Sequence, residues 1–256
     1  MKKIKVKICG LMREEDVETC IGYGVDIVGF VVDYPVDVPW NLDVKRAKEL
    51  IGFFKKCSGK NGSLSRCCIV TGGDSKKLTG LLTGLNPDLI QLHYKEGVNE
   101  IRSCALKSGG IIKTIPHGTE ELIRQACLDA APDTSPMWMY ACGMIRNIND
   151  TAVEDEIIKR SLTEFQKAGA DILLVDARTH ENAASKSAML DEKLFDRIRK
   201  STSLPVMAAG GITPDNIREV ISRIKPEIID VMTGVEESYG IKSKSKIEMI
   251  MKEVEL

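Results

Sequence analysis

Residues 3–10, near the start of the chain, have the sequence Lys-Ile-Lys-Val-Lys-Ile-Cys-Gly. Its side chains alternate between charged and apolar, which is the pattern of a strand with one buried face. Gly10 ends the strand, and acidic residues 14–16 then open a helical stretch from about 13 to 23. The segment therefore predicts one strand followed by one helix, with Cys9 at the carboxyl end of the strand.

The same strand-and-helix unit recurs along the chain. Four joins stop a helix, turn and start a strand: Tyr-Gly-Val-Asp-Ile-Val, Leu-Asn-Pro-Asp-Leu-Ile, Ala-Gly-Ala-Asp-Ile-Leu and Lys-Pro-Glu-Ile-Ile-Asp. Further strands are predicted at residues 26–32, 66–71, 88–93, 110–115, 171–176, 205–209 and 228–232. Helices are predicted at 43–56 with Asn41 as N-cap, from Asp74, at 98–107 and at 151–168. Eight short strands separated by helices, without hairpin turns, are typical of a parallel barrel.

Length and composition agree with one barrel domain. The chain has 256 residues, 43% hydrophobic and 29% charged, with a net charge of −1, and about 250 residues is the usual size of an eight-fold barrel. We predict a single (β/α)8 TIM barrel over residues 1–256. Without excess positive charge, a membrane span or a signal-peptide pattern, we expect a cytoplasmic protein that binds neither nucleic acid nor membrane. Its oligomeric state stays unknown from the sequence.

One stretch, at about residues 117–150, interrupts the repeat between the fifth strand and the helix at 151–168. A loop of this length is usually functional or mobile. Because it would rise from the carboxyl face of the barrel, it is interpreted as an insertion that forms either a lid over the substrate or a peripheral decoration or dimer contact.

Reactive side chains occur at the predicted strand ends, where barrels place their chemistry. Cys9 closes strand one, Asp176 closes strand six and Asp230 lies within strand eight. These positions predict a catalytic centre, although Cys9 by position alone is equally well explained as a small buried packing residue.

Glycines after strands seven and eight predict a phosphate site. Gly210 and Gly211 precede Thr213-Pro214-Asp215, which is interpreted as a helix start, and Thr233 and Gly234 follow strand eight. Glycine lets backbone amides approach an anion, and a short helix after strand eight would add its N-terminal dipole. The alternative is that the glycines only make a tight turn.

The cysteines and histidines predict neither a metal site nor a disulfide framework. No two of the eight cysteines have CxxC spacing, and His93, His117 and His180 are far apart in sequence. A reduced, metal-free protein is the expectation.

Several motifs resemble those of the phosphoribosylanthranilate isomerase family. The matching segments, in the family's order, are Lys7–Leu11, Glu15-Asp16, Asp26–Val31, Ile90–His93, Leu173–Asp176, Ala208–Asn216 and Asp230–Ser238. They span nearly the whole chain apart from the insertion. The pairing of Lys-Ile-Cys-Gly at the start with Asp-Val-x-x-Gly-Val-Glu at the end is specific.

The resemblance implies an Amadori rearrangement of N-(5-phosphoribosyl)anthranilate to the corresponding aminoketose phosphate in tryptophan biosynthesis. Carried over onto this sequence, the general base is Cys9, the general acid is Asp176, and Asp230 and Lys186 bind the substrate. The apolar end of strand six would keep Asp176 protonated, while a helix start and phosphate-site dipoles would favour the Cys9 thiolate. Such a route needs a small phosphorylated substrate and no cofactor.

Three substrate-facing loops depart from the family's pattern. The Ser-Pro-Arg phrase after strand two is replaced by Tyr34–Asn41, the Gly-Gly-Thr-Gly-Lys phrase by Asn182–Lys186, and His-Gly by His93-Tyr94. The missing cation has three possible replacements, Arg124, Arg146 and Arg178. The alternatives are a related isomerase acting on another phosphorylated sugar or amine, and a non-catalytic phospholigand-binding barrel.

Overall fold

Eight parallel strands close into a barrel in the computed structural model, which describes residues 3–62, 64–115, 151–177 and 189–255. The strands follow chain order around the barrel, and β8 pairs with β1 to close it. They are β1 (Lys5–Ile8), β2 (Ile27–Val31), β3 (Arg66–Thr71), β4 (Leu89–Leu92), β5 (Ile111–Ile115), β6 (Ile172–Asp176), β7 (Val206–Ala209) and β8 (Ile228–Val231). The predicted fold class is confirmed.

Helices lie between successive strands and pack on the outside of the barrel. They are α1 (Glu14–Gly22), α2 (Val44–Asn61), α3 (Ser75–Leu85), α4 (Val98–Ala105), α5 (Thr151–Ala168), α6 (Glu192–Lys200), α7 (Ile217–Ile224) and α8 (Lys244–Val254). The predicted N-cap of α2 is wrong. Asp43 caps this helix by accepting a hydrogen bond from the Arg46 N–H at 2.7 Å. Asn41 instead exchanges two hydrogen bonds with the backbone of Tyr34 and closes the turn before the helix.

Strand β1 is buried on both faces, not on one as its alternating pattern predicts. Val6 and Ile8 pack outward in the large cluster between barrel and helices, and both are fully buried. Lys7 points the other way, into the barrel, and is fully buried as well. In a closed parallel barrel the second face of each strand lines the interior. The lysine in the middle of the strand is therefore an interior residue.

The barrel interior below the carboxyl ends is filled by apolar side chains. Its cluster consists of Ile27, Cys68, Leu89, Ile112, Ile172, Leu174, Met207, Ala209 and Ile228. The pocket described below lies on the carboxyl side of this layer.

Two segments after β7 and β8 differ from the sequence-based expectation. Helix α7 begins at Ile217 and not at Thr213–Asp215, because the Asn216 side chain holds a turn there. It accepts a hydrogen bond from the Thr213 N–H and donates one to the Gly211 carbonyl, each at 2.8 Å. After β8 comes a single 3-10 turn, Thr233–Val235, and then an antiparallel hairpin that the sequence analysis missed. Its strands are β9 (Glu236–Ser238) and β10 (Ile241–Lys242).

The insertion predicted at about 117–150 lies outside the described residues. Among the helices in the described ranges, none combines the length and the apolar character needed to traverse a lipid bilayer.

Gly234 lets the 3-10 turn pack directly on the loop after β7. A Cβ here would lie 1.9 Å from the Ile212 carbonyl oxygen and 3.1 Å from the Thr213 Cα, and neither backbone atom can rotate away. We predict that Gly234→Ala lowers the free energy of unfolding by at least about 2 kcal/mol, measured by urea denaturation.

The matched control is Gly80→Ala in α3, where an added Cβ meets nothing within 4 Å. Alanine suits a helix interior better than glycine, so this variant should gain about 0.5–1 kcal/mol. Equal effects at the two positions would contradict the close approach at Gly234.

Candidate active site

A pocket at the carboxyl ends of the strands brings together the predicted catalytic side chains. Cys9, Asp176 and Asp230 all line it, although they lie far apart in sequence. The remaining lining residues are Val31, Tyr34, Val38, Trp40, Val70, Gln91, His93 and Met232. The structure therefore assembles one thiol, two carboxylates and one imidazole in a single cleft.

Cys9 lies directly after β1 with its side chain almost fully buried. Its N–H donates to the Val231 carbonyl at 3.0 Å, which continues the pairing of β1 with β8. A Cβ added to Gly29 on β2 would lie 3.0 Å from the Cys9 Sγ and 3.3 Å from the Lys7 Cε. The thiol and the lysine side chain therefore converge on the space that this glycine leaves open.

Lys7 and Asp230 form a buried ion pair beneath the pocket. The Lys7 Nζ donates to the Asp230 Oδ2 at 2.7 Å, and the two side chains are 0% and 6% exposed. Burial alone would lower the pKa of Lys7, but Asp230, followed by Cys9 and Cys68, raises it above its usual value. Lys7 therefore keeps its positive charge inside the barrel. Lys7 was not among the predicted site residues, because the alternating pattern of its strand is that of a strand with one solvent-facing side.

Burial raises the pKa of the Cys9 thiol, and the Lys7 ammonium is the largest influence that opposes this rise. Asp230 raises the pKa further, and Lys242 lowers it. The net shift is upward, opposite to the predicted stabilisation of the thiolate, and the influence of a helix start stays a prediction. Helix α1 begins five residues after Cys9, and its first turn carries three acidic side chains. Of the two cations that favour the thiolate, Lys7 has the larger effect.

His93, just after β4, connects Asp176 to a polar chain inside the barrel. Its Nε2 lies 3.8 Å from the Asp176 Oδ2. Its Nδ1 lies 2.8 Å from the Gln91 Nε2 and 3.1 Å from the Thr114 Oγ1. With the Gln91 amide donating to Nδ1, the neutral ring carries its proton on Nε2, facing the carboxylate. His93 belongs to the segment Ile90–His93 that resembles the family, but the sequence alone predicts no role for it.

The segment after β2 forms an apolar wall on one side of the pocket. Its buried side chains Tyr34, Val38 and Trp40 pack in one cluster with Cys9, Val31 of β2 and Val70 of β3. The Tyr34 hydroxyl donates to the His93 carbonyl at 2.7 Å, which ties this wall to the loop after β4. Where the sequence analysis noted a missing arginine, the structure has an ordered aromatic and aliphatic surface.

Trp40 fixes this wall to the hairpin after β8. Its indole N–H donates to the Glu236 Oε1 at 2.6 Å, and both side chains are buried. The same carboxylate pairs with the Lys242 Nζ at 2.8 Å and accepts from the Gly240 N–H at 3.2 Å. Glu236 thus holds three donors and joins loop segments that are about 200 residues apart in sequence.

The predicted phosphate-site residues lie in two loops that touch each other. Gly210 and Gly211 have φ angles of 110° and 64°, which favour glycine. Gly234 packs on the carbonyl of Ile212 and so places Thr233 beside the loop after β7. Phosphate binding here stays a prediction. Lys186, together with Arg124, Arg146 and Arg178, lies outside the described residues.

Within the part of the chain that the structure describes, no group of three or more His, Cys, Asp or Glu side chains is arranged to hold a metal ion. The cysteines at positions 9, 20, 57, 67, 68 and 104 are free thiols.

The buried bond from Trp40 to Glu236 generates a stability prediction. Trp40→Phe keeps an aromatic ring in the wall but removes the indole N–H that donates to Glu236. We expect it to lower the free energy of unfolding by about 1.5–3 kcal/mol in urea denaturation, since hydrogen bonds to charged groups are the stronger ones.

Tyr23→Phe is the control for that variant, because Tyr23 also donates to a carboxylate, that of Glu248, at 3.0 Å but near the protein surface. The loss at Tyr23 should be clearly smaller. Comparable losses in the two variants would show that the Trp40 bond does not hold the wall.

Comparisons with known proteins agree with this architecture. A family model described as N-(5'-phosphoribosyl)anthranilate (PRA) isomerase matches residues 133–253. The N-(5'-phosphoribosyl)anthranilate isomerase of Methanosarcina acetivorans is 28% identical over 254 residues, which cover 98% of this chain and 93% of the relative.

Solved structures of such isomerases share the fold. The structural match with phosphoribosyl anthranilate isomerase from Thermotoga maritima covers 98% of each of the two chains, with a TM-score of 0.68 and 21% sequence identity. A second match is with a phosphoribosyl anthranilate isomerase in complex with reduced 1-(o-carboxyphenylamino)-1-deoxyribulose 5-phosphate. It also covers 98% of each of the two chains, with a TM-score of 0.64 and 20% sequence identity. Together with the motifs at both ends of the barrel, these matches show that the chain is similar, over nearly its whole length, to phosphoribosylanthranilate isomerases.

Proposed function

We propose that the protein is a phosphoribosylanthranilate isomerase of tryptophan biosynthesis, an intramolecular aldose–ketose isomerase. Its substrate is N-(5'-phosphoribosyl)anthranilate, and its product is the 1-deoxyribulose phosphate formed by Amadori rearrangement. The observation that supports this most is the presence of Cys9 and Asp176 in one pocket, on the barrel face where the loops after β7 and β8 meet. A ligand-binding barrel without catalysis has no need for a thiol and a carboxyl group so placed.

Asp176 is the proposed general acid. Its carboxyl group protonates the furanose ring oxygen while the nitrogen lone pair opens the ring to an iminium ion. The acid must hold its proton near neutral pH, and an almost fully buried position at the end of a strand of leucines favours the neutral form. The neighbouring His93 faces the same carboxylate.

Cys9 is the proposed general base. Its thiolate removes the proton from C2 of the sugar, and the electron pair neutralises the iminium nitrogen to give an enolamine. The enolamine then gains a proton at C1 and loses its hydroxyl proton to become the ketone. Hydrogen therefore moves only within the substrate and its two proton carriers, so the reaction needs no redox cofactor.

The rest of the substrate would span the pocket. The phosphate would lie on backbone amides of the loops containing Gly210, Gly211, Thr233 and Gly234, as is usual in this architecture. Asp230 would contact the sugar hydroxyls. The apolar wall beside Trp40 suits the benzene ring of anthranilate. The groups for its carboxylate and the role of Lys186 stay predictions, and so does a cytoplasmic location.

One observation favours a second candidate, a related isomerase that acts on another phosphorylated sugar or amine. The wall formed by Tyr34, Val38 and Trp40 is apolar where the family carries its arginine. A wild-type protein that turns over no ribosylanthranilate and fails to rescue a tryptophan auxotroph would favour this candidate.

Replacement of the two proposed proton carriers tests the mechanism. We expect Cys9→Ser and Asp176→Asn each to lower kcat by about 10²–10⁴-fold, the usual contribution of a general acid or base. KM should change much less, because neither group is proposed to carry the main binding energy. Steady-state rates with the purified full chain measure both values.

Cys57→Ser is the matched control, since it removes a thiol from α2 on the outside of the barrel and should leave kcat unchanged. Wild-type turnover in Cys9→Ser or Asp176→Asn would rule out the assigned role of that residue.

A further inference from the structure

We propose that Lys7 is a positioning residue for Cys9: the buried ammonium group of Lys7, held by Asp230, is the fixed counter-charge that favours the thiolate of Cys9. This inference deepens the proposed function, because it concerns the base of that reaction. It can be tested on the thiol alone, without substrate, so its failure is distinguishable from failure of the proposed function.

The backbone fixes where Lys7 and Cys9 point. They are two residues apart at the end of one strand, so their side chains leave the strand on the same side, which faces the barrel interior. Gly29 on the neighbouring strand has no side chain to separate them. A single point at its Cβ position lies 3.0 Å from the Cys9 Sγ and 3.3 Å from the Lys7 Cε.

Asp230 holds the ammonium group in place from the other neighbour of β1. In the β1–β8 register Lys7 lies directly opposite Asp230, and their charged atoms are 2.7 Å apart. A buried ammonium without a carboxylate would lose its proton, because burial disfavours the charged form. The ion pair therefore keeps Lys7 positively charged although its side chain is fully buried.

Other ionisable groups also face the thiol from the elements around it. They are Asp230 on β8, Lys242 on β10, Cys68 on β3, Asp176 on β6 and His93 after β4. Asp230 opposes ionisation of Cys9, but its effect is smaller than that of Lys7. Lys242 favours ionisation more weakly, and its ammonium group is already paired with Glu236. Lys7 is therefore the dominant cation at Cys9.

The test is a pH titration of the Cys9 thiol in the folded full chain. Thiolate ultraviolet absorbance is recorded for each protein and for the same protein carrying Cys9→Ser, and the difference isolates Cys9. We expect Lys7→Met, which keeps the length of the side chain, to raise the midpoint by at least about one pH unit. At a fixed pH below the midpoint this is at least about a tenfold loss of thiolate.

A double variant covers the case in which Lys7→Met does not fold because it leaves Asp230 buried without its cation. Lys7→Met with Asp230→Asn removes both charges. Lys7 affects the pKa of Cys9 more than Asp230 does. The Cys9 midpoint of the double variant should therefore lie above that of the wild type and below that of Lys7→Met. Lys5→Met is the control, because Lys5 is an exposed lysine of the same strand and should leave the midpoint unchanged.

A purely structural role for Lys7 predicts lower stability with an unchanged Cys9 midpoint. A wild-type midpoint in folded Lys7→Met, or in the double variant, would therefore overturn the proposal. In isomerase assays the acidic limb of the kcat/KM profile should move to higher pH together with the thiol midpoint.

Discussion

The pairing of β1 with β8 is the contact on which the site depends. It closes the barrel, and its register places Lys7 directly opposite Asp230. The same pairing continues through the hydrogen bond from the Cys9 N–H to the Val231 carbonyl, so the thiol is held at the rim by backbone geometry. Barrel closure, the buried ion pair and the position of the proposed base are therefore one structural feature.

The proposed chemistry requires opposite behaviour from two buried groups. A general base must be charged when the substrate arrives, whereas a general acid must be neutral, and burial favours only the second of these states. Among the described residues, the two groups have different neighbours. Cys9 lies beside the ammonium of Lys7, whereas Asp176 faces an imidazole whose other nitrogen is held by Gln91 and Thr114. This asymmetry is what separates the roles of acid and base in the proposal.

Much of the architecture could be predicted from the sequence because the repeat of strands and helices is local. Cys9, Asp176 and Asp230 could also be placed in one site, since all strand ends of a parallel barrel meet at the same face. Lys7 was missed because one strand's alternation does not show whether its second face meets water or a barrel interior. Trp40 and Glu236 were missed for another reason. Their bond joins positions 196 residues apart, and no local pattern records such a contact.

In the proposed reaction, Cys9 and Asp176 flank the sugar while the phosphate lies on the loops after β7 and β8. A crystal structure of this protein with reduced 1-(o-carboxyphenylamino)-1-deoxyribulose 5-phosphate tests this most directly. We expect phosphate oxygens in hydrogen-bond contact with backbone amides around Gly211 and Gly234, C2 of the sugar beside the Cys9 Sγ, and the ring-derived hydroxyl beside Asp176. A phosphate bound away from both loops, or a sugar out of reach of either side chain, would contradict it.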